Sequence, residues 1–193
     1  MAVSPRERMV ISAALLIRER GAHPTAIGDV LKHSGAPRGS AYHYFPGGRT
    51  QLLCEAVDYA GQYLTDRLAE APSALHALDG LFDTYRQQLR DTDFRAGCPV
   101  VAVAVEAGDP DKPEQSAEVI ARAGAAFTRW QEVIAERLVD DGVPGAQARA
   151  LAMLVLSSFE GALVVARATR DLTTLDEVHR QLRSMIEAAR DRS

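Results

Sequence analysis

The chain has 193 residues, 47% of them apolar and 25% charged, and its 22 Lys/Arg against 26 Asp/Glu leave a net charge of −4. That length suffices for one sizeable core or for a small domain joined to a larger one. No uninterrupted apolar run reaches the roughly 18 residues that span a bilayer, and Cys54 and Cys98 are too few and too far apart for a disulfide framework or a metal knuckle. The opening MAVSPRERMVISAALL lacks the order of a signal peptide, so the expected location is the cytoplasm.

The charge is unevenly placed. Residues 1–53 hold seven Lys/Arg (Arg6, Arg8, Arg18, Arg20, Lys32, Arg38, Arg49) against three acids (Glu7, Glu19, Asp29), a balance of +4, and the remaining 15 basic and 23 acidic residues leave −8. A basic module on an acidic chain keeps nucleic acid in play, because association follows the local field and not the sum.

Helix signals in that module are dense. Ser4-Pro5-Arg6-Glu7 joins a capping box to a proline at the first helical position, and Val10, Ile11, Ala14 and Leu15 give a helical stripe closed by Gly21. Thr25 is the expected cap of a second helix that buries Ile27, Val30 and Leu31 and ends near Ser34-Gly35. Pro37 is expected to start a third helix at once, over residues 37–43, and the short Gly-containing connection sets the two at a steep angle, as in a helix-turn-helix unit.

The third helix lies in SGAPRGSAYHYFPGGRTQLL, residues 34–53, which concentrates Tyr42, Tyr44 and Phe45 in a chain with few aromatics. A recognition helix needs small residues where its backbone nears DNA, donors for bases and phosphates, and an anchor in the domain core. Gly39, Ser40 and Ala41 are small, Arg38 is a guanine reader by chemistry, Tyr42 and His43 reach phosphates, and Tyr44 and Phe45 turn inward, Phe45 more securely. The plain alternative is an aromatic cluster packing a helical domain.

A long helix is expected from Gly47 to about Glu70, with Leu53, Ala56, Val57, Ala60, Leu64 and Leu68 on one face and Pro72 ending it. Gly47, Gly48, Arg49 and Thr50 stand at its positive end, where amides and Arg49 can hold a phosphate. Further helices are expected over residues 74–90, over the valine-rich PVVAVAVEAG at 99–108, around Val119 to Leu138 up to Gly142, over 150–166, and from a capping box at Thr174-Leu175-Asp176-Glu177. The segment 150–166 is apolar almost all round, so one face packs on its own domain and another on something else. Two helices from each subunit would make a four-helix dimer interface, with Leu156, Ser157, Gly161, Val164, Val178, Leu182 and Met185 as its expected residues.

GAHPTAIGDVLKHSGAPRGSAYHYFPGGRTQLL resembles the TetR-type transcriptional regulators, and FPGGRTQLL, GCPV at 97–100 and RWQEVIAERLVDDG at 129–142 resemble the LmrA/YxaF branch. The chain departs from that branch at Arg49-Thr50, where lysine and glutamate are usual, and at Pro37, where many relatives carry serine. The resemblance implies an all-α fold, with a helix-turn-helix DNA-binding domain at 1–50 joined by a long helix to a helical ligand-binding and dimerisation domain at 51–193. It implies a homodimeric repressor that binds a palindromic operator and is released by a small-molecule inducer. By position, Thr25, Pro37, Arg38, Gly39, Ser40, Tyr42, His43 and Arg49 would belong to the DNA site, with Arg38 and Ser40 nearest the bases.

The larger apolar groups of the second domain are the candidates for an effector pocket. From the first half of that domain these are Phe82, Tyr85, Phe94 and Cys98, and from the second Phe127, Trp130, Met153 and Phe159. Glu160 is the sharper candidate, because a carboxylate in so apolar a helix must find a partner, a ligand amine or an arginine of either subunit.

Enzyme chemistry has no foothold. The sequence carries no Gly-rich phosphate loop and no nucleophile elbow, and His23, His33, His43, His76 and His179 are scattered. No catalytic residue, cofactor or metal is expected. The alternatives to a gated repressor are a helical protein-interaction module and a DNA-binding protein without ligand control.

Overall fold

The structure, a computed structural model, describes residues 3–106 and 113–191. Its described residues form α-helices with no strand: α1 (Pro5–Arg20), α2 (Ile27–Ser34), α3 (Ser40–Tyr44), α4 (Gly48–Glu70), α5 (Ala74–Asp91), α6 (Pro99–Val105), α7 (Pro113–Asp140), α8 (Gly145–Thr169) and α9 (Thr173–Arg190). The valine-rich run expected as a short helix is α6, and the end of that span, 107–108, lies outside the described residues. The chain divides into two compact units, Met1–Gln62 with Cys98–Ala126, and Tyr63–Gly97 with Phe127–Ser193. The first unit therefore reaches beyond residue 50 and takes in α6.

In the first unit α1 packs against α2 and α6. The Glu7 N–H donates to Ser4 Oγ at 3.1 Å, and Gly21, at φ +93°, donates its N–H to the Ile17 carbonyl at 2.8 Å. Met9, Val10, Ala13, Ala14 and Ile17 form the buried stripe of α1. Thr25 does not cap α2. Its hydroxyl turns inward to the Gly21 carbonyl at 2.7 Å, and Asp29 serves the helix start by accepting the Ala26 N–H at 3.2 Å. Gly35 ends α2 in the left-handed conformation at φ +68°. The third helix is shorter than the expected span 37–43, because the N–H and the hydroxyl of Ser40 both donate to the Pro37 carbonyl, at 2.9 and 2.7 Å, closing a turn ahead of the helix.

In the second unit α5, α8 and α9 pack on one another. Phe82, Trp130, Leu138, Phe159, Leu163, Leu175 and Ile186 are fully buried and make its centre. Ser73 Oγ accepts the His76 N–H at 3.3 Å to start α5, and the Asp141 carboxylate accepts the Ala74 N–H at 3.0 Å. The expected capping box at Thr174 is not made. Asp171 takes its place, accepting the N–H and hydroxyl of Thr173 at 3.1 and 2.9 Å, so α9 begins at Thr173 with Leu172, and not Thr174, at the cap position. Helix α8 is long and apolar enough to cross a membrane by length and composition, although Ser157, Ser158 and Glu160 interrupt its apolar run, and half of its most apolar stretch is buried within the protein, as in a core helix.

Candidate nucleic-acid interface

The surface at α2 and α3 is built by anchoring one side of a very short helix and leaving the other in solvent. A five-residue helix cannot hold itself in water. Ala41 and Phe45, each 1% exposed, fasten α3 to the first unit, and the Arg6 guanidinium lies 5.2 Å over the Phe45 ring. Tyr44 is half-buried and meets His43 edge-on at 5.2 Å.

On the outward side Pro37, Arg38, Gly39, Tyr42 and His43 are exposed, Tyr42 to 72%, and Ser40 is half-buried. Lys32 and His33, in the last turn of α2, are exposed too. They add cationic and donor groups that the reading of the third helix by itself left out. Six of the eight expected DNA residues are thus gathered on one short stretch, residues 37–43, with cationic, hydroxyl and ring donors around a small-residue centre.

The other two stand behind it. Thr25 is 1% exposed and occupied with Gly21. Arg49 is not the solvated side chain that is the plain alternative for it. Its Nε donates to the Thr25 carbonyl at 3.0 Å, and its Nη2 donates to the carbonyls of Ala22 and of His23, the latter at 3.2 Å. A guanidinium at the start of α4 thus satisfies the carbonyls of the α1–α2 connection.

Titration follows burial and ion pairing. Burial, with Glu118 and Asp58 adding negative charge and Arg122 partly offsetting them, pushes the Cys54 thiol up to about 11, so it is a thiol and not a thiolate at neutral pH. In the second unit burial raises the Asp79 carboxyl, but hydrogen bonds from Arg183 and His179 outweigh it and leave the group below its ordinary value. Among the described residues no group of three His, Cys, Asp or Glu side chains is placed to hold a metal.

Expected effector residues are partly gathered and partly dispersed. Phe82 meets Phe159 edge-on at 5.2 Å, Tyr85 meets Phe159 at 5.0 Å, and Phe127 meets Trp130 at 5.5 Å. Phe94 lies under the Arg170 guanidinium at 5.7 Å. Glu160 is buried, Met153 is 49% exposed on the outer face of α8, and Cys98 belongs to the first unit. Of the expected dimer residues, Ser157, Gly161, Val164 and Met185 are exposed and Val178 is half-buried, whereas Leu156 and Leu182, 4% and 3% exposed, face the protomer's own core.

An all-helical chain that presents an anchored short helix after a tight turn is a helix-turn-helix protein. Residues 74–181 match the family model described as transcriptional regulator LmrA/YxaF-like, C-terminal domain. An uncharacterized HTH-type transcriptional regulator of Mycobacterium tuberculosis is 65% identical over 94% of this chain and 94% of its own. The HTH-type transcriptional regulator LmrA of Bacillus subtilis is 27% identical over 88% of this chain and 90% of its own. A TetR transcriptional regulator from Legionella pneumophila superposes with a TM-score of 0.80 at 20% identity, covering 96% of this chain and 99% of that one. The chain belongs to the TetR family of transcriptional regulators, in its LmrA/YxaF-like branch. It is a DNA-binding regulator and not an enzyme.

Proposed function

We propose that the protein is a ligand-responsive repressor acting in the cytoplasm, which binds palindromic operator DNA as a homodimer and lets go when a small molecule enters its second unit. The observation that carries the DNA half is the exposure of Arg38, Tyr42 and His43 on a stretch whose opposite side, Ala41 and Phe45, is locked in the core. In this reading Arg38 reads a guanine edge in the major groove, Ser40 sits beside the bases with Pro37 and Gly39 allowing the backbone close, and Tyr42 and His43 hold phosphates. Thr25 and Arg49 position that surface without touching DNA.

The dimer is supported by an outward apolar face. Met153, Leu154, Val164 and Val165 of α8 and Met185 of α9 are each more than 40% exposed, with Ser157 and Gly161 between them allowing close helix approach. A contiguous exposed apolar face of this kind is covered in a stable protein. Two-fold symmetry would set the recognition helices about 34 Å apart, one turn of DNA. The effector would enter among the aromatic groups around Phe82, Tyr85 and Phe159, and it releases DNA by favouring a conformation in which that spacing is lost.

The test is recovery and sequencing of genomic fragments retained by the purified protein, followed by titration in rising salt with and without candidate small molecules. A regulator loses affinity steeply with salt, and operator DNA weakens effector binding by the same factor as effector weakens DNA binding. Failure to retain any fragment in a salt-dependent manner would sink the proposal.

A further inference from the structure

The α1–α2 connection is gripped from two sides by charged side chains that both come from outside it. The N–H groups of Ala22 and His23 donate to Glu106, just beyond the end of α6, at 2.6 Å to Oε1 and 2.6 Å to Oε2 respectively. The carbonyls of the same two residues accept from Arg49 at the start of α4. Both main-chain polar groups of two successive residues are therefore held, one side by a carboxylate and the other by a guanidinium. The short charge-assisted bonds make this a stiff joint. Gly21 is fitted to it, since a Cβ there would stand 2.2 Å from Glu106 Oε1, and its φ of +93° suits glycine alone.

Glu106 is distant in sequence from the helix-turn-helix and cannot favour DNA by charge. Yet the peptide groups it holds lie in the short connection that leads through Pro24, Thr25 and Ala26 into α2, whose far end turns into α3. We infer that Glu106 is a positioning residue for DNA binding: by fixing the N–H groups of Ala22 and His23 it sets where α2 begins, and with it the pose in which α2 and α3 meet the duplex. The inference rests on the DNA-binding reading of α3. It makes the end of α6 part of the DNA-reading machinery, and it predicts a sign opposite to simple electrostatics. Removal of a negative charge from a DNA-binding unit by itself tightens binding to a polyanion, whereas loosening this joint weakens it.

The experiment compares wild type, Glu106→Gln and Glu106→Ala in anisotropy titrations against a genomic fragment recovered on immobilised wild-type protein, at several salt concentrations, with amide exchange measured on each variant. Glu106→Ala is expected to bind about tenfold more weakly, less than two bonds to a charged group could supply, because α1, α6 and Arg49 still hold most of the pose. The salt slope stays unchanged because no phosphate contact is removed, and the amides of Ala22 and His23 exchange faster while those in the middle of α1 do not. Glu106→Gln, which keeps one acceptor oxygen, falls between. Equal or tighter binding by either folded variant, with the two amides exposed, overturns the inference. Should Glu106→Ala fail to fold, Glu106→Gln decides by the same criterion. If the wild-type protein itself shows no salt-dependent binding, it is the DNA-binding reading that fails, and this inference with it.

Discussion

Arg38 and Arg49 are both arginines in the basic module, but one side chain is exposed and the other is bonded to main-chain carbonyls. Arg38 is exposed, so Arg38→Ala should leave the melting temperature unchanged while relaxing base preference at one operator position, as read by binding to a library of operator variants. Arg49 bonds three carbonyls, so Arg49→Ala should destabilise the protein by about 1–3 kcal/mol in urea titrations, the cost of leaving acceptors unmet. Arg49→Lys should restore little of this, since an ammonium lacks the planar fork that spans several carbonyls. Cys54 gives a third expectation. Its folded-state value of about 11 stands above the ordinary 9.0, so the associated stability is complete below pH 9 and is lost as pH rises through 11. Alkylation of native protein at pH 8 should accordingly spare Cys54 until denaturant is added.

At the level of helices, the join between α5 and α9 in the second unit is dense in charge. Asp79 on α5 accepts from His179 Nε2 at 2.9 Å and from Arg183, Arg86 donates to Asp176 at 2.8 Å, and the His179 ring stacks on Phe82 with centroids 4.5 Å apart. Because Asp79 is held below its ordinary 3.8, its contribution is present above that value and is lost as pH falls through the lower folded-state value. Urea midpoints should therefore drop on acidification below about pH 4, and Asp79→Asn should lower the midpoint at pH 7 and flatten that acid limb. Phe82→Ala, at a fully buried ring, should cost about 3–5 kcal/mol. Neither helix advertises the join in advance. The partners stand about a hundred residues apart, and no periodicity within α5 or α9 couples them.

For the whole molecule the proposed dimer is the decisive arrangement, because a half-site reader gains operator affinity only when its partner presents the second half-site. Val164→Glu places a charge on the exposed face of α8 without disturbing its core face, so sedimentation should show the mass falling to the protomer's 20.9 kDa, with helical content retained and operator binding lost. The same face shows what a sequence reading can and cannot reach. That α8 must pack on two sides follows from its being apolar all round. Which residues go to which side does not: on α8 Leu156 is interior while Met153 faces outward, and on α9 Leu182 is interior too.

The all-helical class, the order of the helices and Phe45 as the anchor of the Tyr42-His43-Tyr44-Phe45 tip follow from the amino-acid sequence alone, and the family from the resemblance of a contiguous motif, because capping residues, apolar spacing and such a motif are local properties of the chain. Tertiary structure alone decided that Thr25 turns to the Gly21 carbonyl and Arg49 to the carbonyls of the α1–α2 connection, that α3 starts at Ser40, that Asp171 and not Thr174 bonds the first turn of α9, and that Glu106 grips the α1–α2 connection. In each case the choice turns on where a hydrogen-bonding side chain finds its partner. For Thr25, Ser40 and Asp171 two partners lie within a few residues and compete, and for Arg49 and Glu106 the partner lies 24 to 84 residues away. A side chain with several bonds to choose from settles only when the folded backbone has brought one of them into reach.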